Sequence, residues 1–144
     1  MRKILTVVVP AYNVEKYLRD CLDSFMLPTW KEKLEVLIID DGSTDHSAKI
    51  AQEYERKIPE IFHVIHKKNG GHGSAINCGV EQASGKYLKV VDGDDYVKQK
   101  PFEKLLMCLE TTDSDLVVSN YYWFADGTNR IKAERKEPFQ GVKY

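Results

Sequence analysis

Apolar residues in this chain fall into short β-branched runs separated by segments with helical spacing. Ile4 to Val9 is the first such run, and it stops at Pro10. It reads as a central strand buried on both faces. Val14, Leu18, Cys21, Leu22 and Phe25 then recur on one helical face, with Asn13 placed to cap the helix and Pro28 closing the segment. Leu34 to Ile39 is a second buried strand. Ser43 or Thr44 is placed to cap the following helix, whose inner face is Ala48, Ala51, Tyr54 and Ile58. Phe62 to His66 predicts a third strand. A glycine-rich loop over residues 69–74 opens a helix running to about Ala83, with Gly85 at the C-terminal cap position. Tyr87 to Val91 predicts a fourth buried strand. Pro101 to Leu109 predicts a helix with Phe102, Leu105, Leu106 and Leu109 facing inward. Leu116 to Ser119 predicts a fifth strand. Tyr121 to Phe124 and Thr128 to Lys132 predict a hairpin turning at Asp126-Gly127.

Strands alternating with helices imply parallel βαβ units, so the expected fold class is α/β, a mostly parallel sheet with helices on both faces. The 144 residues suit one domain. The polar motifs then share one location. Asn13, Asp40, Asp41 and the cluster from Asp92 to Asp95 all follow the carboxyl ends of strands, the edge at which an open parallel sheet binds ligands.

The segment from Tyr87 to Asp95 is the most informative. It ends in three carboxylates within four residues, with Gly93 among them. Like charges this close repel, and a hard divalent cation with oxygen ligands reverses that. A solvated acidic turn after a strand explains the segment alone equally well; its place beside the other strand-end polar residues favours a cation. Asp92 and Asp94 are the candidate ligands for Mg²⁺ or Mn²⁺. Asp41 can accept from a base N–H or a ribose hydroxyl, although a helix-capping role suits it nearly as well. The glycine loop can bring backbone close to a ligand or present N–H groups to an anion. Tyr12 can stack on a base or simply pack, and His72 reads first as a solvated loop residue.

Charge excludes one class of partner. With 21 basic against 22 acidic residues the net charge is −1, so no general basic field points to nucleic acid. The three cysteines, Cys21, Cys78 and Cys108, fall in helical segments without metal-ligand spacing and read as small buried apolar residues in a reducing compartment. No apolar run has the length of a membrane span.

Four stretches together carry a resemblance. Val-Val-Val-Pro-Ala-Tyr-Asn at 7–13, Ile-Ile-Asp-Asp-Gly-Ser-Thr-Asp at 38–45, Asn-Gly-Gly-His-Gly-Ser-Ala-Ile-Asn-Cys-Gly at 69–79 and Val-Asp-Gly-Asp-Asp at 91–95 resemble, in order, the signatures of the family 2 glycosyltransferases. The last is similar to their DxD segment. The resemblance implies a GT-A fold, a nucleotide-sugar donor, with a UDP-sugar the first choice, and Mg²⁺ or Mn²⁺. It places Pro10, Ala11, Tyr12, Asn13 and Asp41 at the base and ribose, with Gly71, Asp92 and Gly93 in the same nucleotide-binding set. Asp94 would ligate the metal at the diphosphate, with Asp92 near the ribose or metal. It implies inverting transfer to a glycan or lipid-linked acceptor. The expected location is the cytoplasm or the cytoplasmic face of a membrane, reached through regions outside this chain.

The chain departs from the family pattern in two places. Pro101 arrives slightly late after the DxD segment, and no later acidic motif follows Leu116 to supply a general base. The expectation is therefore the N-terminal, donor-binding part of a longer enzyme, with the base beyond it. Two alternatives are weaker. A sugar-phosphate nucleotidyltransferase wants a glycine-rich basic loop after the first strand, where Pro10 to Asn13 stands. A nucleotide-binding module without catalysis, acting in an assembly, is supported by the missing base; sugar transfer or donor hydrolysis by this chain would discriminate against it.

Overall fold

The computed structural model describes residues 2–120, 122–124 and 131–134. Four strands, β1 (Leu5–Ala11), β2 (Leu34–Asp40), β3 (Phe62–His66) and β4 (Tyr87–Val90), form one sheet in the order β3-β2-β1-β4. Every pairing in it is parallel. The helices between and after them are α1 (Glu15–Asp23), α2 (Ser47–Lys57), α3 (His72–Gln82) and α4 (Gln99–Thr111). The chain divides into two compact units, residues 1–111 and 112–144. The second holds an antiparallel pair, β5 (Tyr122–Phe124) with β6 (Ile131–Glu134), its register shifted between Trp123 and Phe124.

The strand order explains the layers. From β1 the chain steps to β2 and then β3 in one direction, and then returns across the sheet to β4 on the far side of β1. Right-handed crossovers put helices made in opposite directions on opposite faces. α3 accordingly covers one face, where Ala75 packs with Val8, Leu37 and Ile39. The residues between these on the strands, Val7, Val9, Val36 and Ile38, point to the other face. Tyr54 of α2 meets Phe62 edge-on at 5.6 Å. The crossover onto β1 is tight: a Cβ on Gly79 would lie 2.3 Å from Val8 Cγ1. Phe25, just past α1, meets Phe102 of α4 at 5.2 Å.

One buried polar knot holds the amino-end side of the sheet. Glu35 of β2 accepts from Thr6 Oγ1 at 2.7 Å, from the Ser84 N–H at 3.0 Å and from Ser84 Oγ at 2.8 Å. Burial pushes the carboxyl of Glu35 up, but these donors outweigh it and the pKa ends below the ordinary value. Thr6 Oγ1 in turn accepts from the Gly85 N–H at 2.8 Å.

Several expectations are corrected. β1 continues through Pro10 and Ala11, which pair with Ile39 and Asp40. Proline is tolerated because its carbonyl faces β4, accepting from the Gly93 N–H at 3.1 Å. The missing N–H would point to the same side, beyond the last residue of β4. β4 is half exposed, Leu88 and Val90 included. An apolar run does not reveal whether both faces are covered, and among the described residues β4 is an edge strand. Gly85 does not cap α3, which ends at Gln82 with Ala83 as its cap. Its role is close approach, since a Cβ there would lie 2.5 Å from the Thr6 nitrogen. In α2, Ile50 is buried where Ala48 was expected. Residues 116–119 form no strand, and Leu116 is 75% exposed; they find no pairing edge among the described residues. The Asp126-Gly127 turn and residues 128–130 of the expected hairpin lie outside the described residues, and β6 is described over Ile131–Glu134. All three cysteines are free; Cys21 is buried as expected, Cys78 partly, whereas Cys108 is exposed.

Gly79→Ala should lower stability by about 1–3 kcal/mol, because the added methyl overpacks against Val8. Urea denaturation checks this: the midpoint should fall, while Val80→Ala, at an exposed neighbour, should leave it within about 0.5 kcal/mol of the parent.

Candidate functional site

The reversal of strand order lies between β1 and β4, and a crevice at the carboxyl ends of two such strands is where α/β sheets take ligands. β1 ends there in Pro10 and Ala11, and β4 runs on into Val91 to Asp95. Backbone bonds join the two: the Val91 N–H donates to Val8 at 3.0 Å and the Gly93 N–H to Pro10 at 3.1 Å. Gly93 serves this closeness. A Cβ on it would lie 3.0 Å from Val14 Cγ2 and 3.2 Å from the Pro10 carbonyl.

The chain then turns, with the Asp95 N–H donating to the Asp92 carbonyl at 2.9 Å. The turn gathers one carboxylate oxygen each from Asp92, Asp94 and Asp95 to within 4.8 Å of one another. Partial burial, then the neighbouring charges of Asp94 and Asp92, push the Asp95 carboxyl above its ordinary pKa. Under the same segment the thiol of Cys21 lies 3.7 Å from the Asp92 carbonyl. Burial first, then Asp95, Asp94 and Asp92, push that thiol up, so it stays protonated and inert. Hard oxygen donors in this number suit Mg²⁺ or Mn²⁺, which would relieve the mutual repulsion.

On the other side of β1, Asp41 is buried, 3% exposed. Its N–H donates to the Ala11 carbonyl at 2.9 Å. Its Oδ1 accepts from Lys67 Nζ at 2.8 Å and the Gly70 N–H at 3.0 Å, and its Oδ2 from the Gly71 N–H at 2.9 Å. Burial raises the pKa of this carboxyl, but Lys67 and the two backbone donors more than offset it and hold the group below the ordinary carboxylate value. Two N–H groups of the glycine loop are therefore engaged by Asp41. Gly71, at φ +93°, makes the left-handed turn into α3. Gly42, at φ +75°, passes so close to Asn69 that a Cβ would lie 2.8 Å from the Asn69 nitrogen. The preceding carboxylate, Asp40, accepts from the Ser43 N–H and faces His66 Nδ1 at 3.0 Å.

The loops after β1 and β2 are laced together. Asn13, at φ +50°, does not cap α1. Its Oδ1 accepts from the N–H groups of Thr44 at 2.8 Å and Asp45 at 3.3 Å. The α1 end is served instead by Ser47 Oγ, which accepts from the Val14 N–H at 2.9 Å, and by Asp45 Oδ2, which accepts from the Glu15 N–H at 3.2 Å. Asp45 Oδ1 accepts from the Ser47 N–H at 2.8 Å, so the expected caps of α2, Ser43 and Thr44, are not used. Ser43 Oγ accepts from the Asn13 N–H at 3.2 Å.

Of the expected site residues, Pro10, Ala11, Asp92, Gly93 and Asp94 meet at the crevice, while Asp41 and Gly71 meet each other beside it. Tyr12 is half exposed at the same edge. Lys67 was not anticipated. The available signal was its position, one residue past the third strand, on the edge that carries the other polar groups. His72 also does more than a solvated loop residue would: its Nε2 lies 2.7 Å from Asp92 Oδ1. Asp95 joins the pair expected to hold a cation.

The chain is similar to known proteins. The family model described as Glycosyl transferase family 2 matches residues 6–143. Glycosyltransferase GlyA of Streptococcus pneumoniae serotype 4 is 41% identical over 120 residues, covering 83% of this chain and 17% of GlyA. Among solved structures, S. aureus TarS 1–349 in complex with UDP-GlcNAc superposes with a TM-score of 0.64 at 32% identity, over 74% of this chain and 31% of that one. Mannosyltransferase PcManGT from Pyrobaculum calidifontis, in complex with GDP-Man and Mn²⁺, superposes with a TM-score of 0.60 at 25% identity, over 67% of this chain and 29% of that one. The chain thus spans a minor part of the length of each of these relatives.

A depressed carboxyl contributes stability that is present above its unfolded pKa, about 3.9, and is lost as pH falls through its folded value. The stability difference between the parent and Asp41→Asn should therefore be largest near neutral pH and shrink below about pH 4. Chemical denaturation across that range checks it, and a difference independent of pH would contradict the assignment.

Proposed function

This chain belongs to glycosyl transferase family 2 and has its GT-A-like α/β fold, and on that premise we propose that residues 1–144 are the nucleotide-sugar-binding domain, the N-terminal part, of a longer metal-dependent glycosyltransferase. The observation that carries the reading is the gathering of Asp92, Asp94 and Asp95 within 4.8 Å at the strand-order reversal. A sugar nucleotide carries a negatively charged diphosphate, which three bare carboxylates would repel. Donor and carboxylates can share the crevice only with a cation between them.

Asp94 and Asp92 are the residues that would hold Mg²⁺ or Mn²⁺, with Asp95 beside them. Bound there, the cation would supply Lewis-acid stabilisation of the charge developing on the diphosphate. Pro10 to Asn13, Asp41, Gly71 and Gly93 line the donor's nucleoside side. Asp41 acts there in part through the loop it holds. A UDP-sugar is the proposed donor, supported by the uridine nucleotide in the TarS complex; the GDP-Man of PcManGT makes guanosine the control. An acceptor hydroxyl on a glycan or lipid-linked sugar attacks the anomeric carbon, the bond to the diphosphate breaks, and configuration inverts. A carboxylate takes the acceptor proton, and none of the described residues is assigned to that role. The reaction belongs in the cytoplasm, or at the cytoplasmic face of a membrane. No helix among the described residues is long and apolar enough to cross a membrane.

Calorimetric titration of UDP with and without Mn²⁺, with GDP as control, tests the proposal. UDP should bind more tightly with Mn²⁺ and in preference to GDP. Asp94→Asn should abolish the Mn²⁺-dependent gain with the fold intact by circular dichroism; a variant that binds UDP and Mn²⁺ like the parent would refute the metal assignment. Asp41→Ala should weaken UDP binding even without metal, and an unchanged affinity would remove Asp41 from the site.

A further inference from the structure

We infer that His72 is a positioning residue for the cation site, holding Asp92 in its ligating orientation from the first turn of α3. The inference rests on the reading that Asp92 and Asp94 hold a divalent cation. His72 is the first residue of α3, whereas Asp92 follows β4, so their contact is made only in the folded sheet. The distance from Nε2 to Oδ1 is 2.7 Å. An ionised carboxylate only accepts hydrogen bonds, so the imidazole donates from Nε2. One oxygen of Asp92 is thereby anchored and the other is left for a ligand. Without an anchor, a half-exposed carboxylate beside Asp94 and Asp95 would turn away from them into water, since nothing but repulsion acts between the three until a cation arrives. Carboxylates and imidazoles that ligate metals are commonly oriented by such outer hydrogen bonds, whose loss costs about 10–100-fold in metal affinity.

The placement of His72 is itself built. Asp41 takes the N–H groups of Gly70 and Gly71, and Gly71 at φ +93° turns the chain into α3. The imidazole therefore stands at the end of a fixed loop. A buried carboxylate on one side of β1 thus sets, through the glycine loop and His72, the orientation of a cation ligand on the other side.

The test is calorimetric titration of MnCl₂ into the chain with UDP present, for the parent, Asp94→Asn, His72→Ala and His72→Gln. His72→Ala should weaken Mn²⁺ binding about ten-fold. His72→Gln, whose amide N–H can still donate, should recover most of the loss. UDP affinity measured without Mn²⁺ should be the same in the parent and both His72 variants, which a general structural defect would not leave unchanged. If the parent binds Mn²⁺, Asp94→Asn does not, and His72→Ala binds like the parent, the role of His72 is overturned and the cation site stands. His72→Gln as weak as His72→Ala would also overturn the donor role. A parent that shows no Mn²⁺ binding would instead overturn the cation site itself.

Discussion

β1 is paired along both edges, to β2 on one side and β4 on the other, and the site depends on that double pairing. Each of its seven residues is buried. Its backbone bonds bring the segment after β4 to Pro10 and the first residue after β2 to Ala11. The same strand therefore sets the spacing between the acidic turn and Asp41. Because α3 has to cross from β3 back over β2 and β1, its amino end arrives above the carboxyl edge of the sheet, and the glycine loop arrives with it.

Charge is handled differently on the two sides of β1. Asp41 is deeply buried and fully compensated by Lys67 and two backbone donors. Its charge holds the glycine loop in place. The three carboxylates after β4 are partly to largely exposed and mutually repulsive, and partial burial, with that repulsion second, raises the pKa of Asp95. A protein gains nothing in stability from the second arrangement. The contrast separates carboxylates whose charge is met by donors within the fold from carboxylates whose charge is not. Glu35 and Asp45, both satisfied by several donors and both with lowered pKa values against the effect of burial, belong with Asp41 in the first group.

Much of the sheet was legible from local pattern. The β-branched runs at β1 and β2 and the helical spacing of Leu18, Cys21 and Leu22 identify buried strands and an amphipathic helix, because side-chain period follows directly from backbone geometry. The position of Asp92, Gly93 and Asp94 at a strand end follows from the same runs. Capping was less legible. Asn13 is a good local cap by type, but the chain uses Ser47 and Asp45 from another loop, and Asn13 is taken by Thr44 and Asp45. A residue's capping preference says nothing about a competing donor some thirty positions away that only folding brings near.

The sequence by itself determined the four strands of the main sheet and the helices between them, the parallel α/β class and the carboxylate set at one edge, since each of these rests on residues close together in the chain. Four separated motifs in order also identify the family. Tertiary structure alone decided the strand order β3-β2-β1-β4, which leaves β4 half exposed and puts the order reversal between β1 and β4. It also decided that Asp41 spends its lone pairs on Gly70, Gly71 and Lys67, and that His72 reaches Asp92. The reason is physical. Periodicity reports which way a side chain faces relative to its own backbone, whereas a hydrogen bond between residues 20 or 30 positions apart depends on where two elements come to rest against each other.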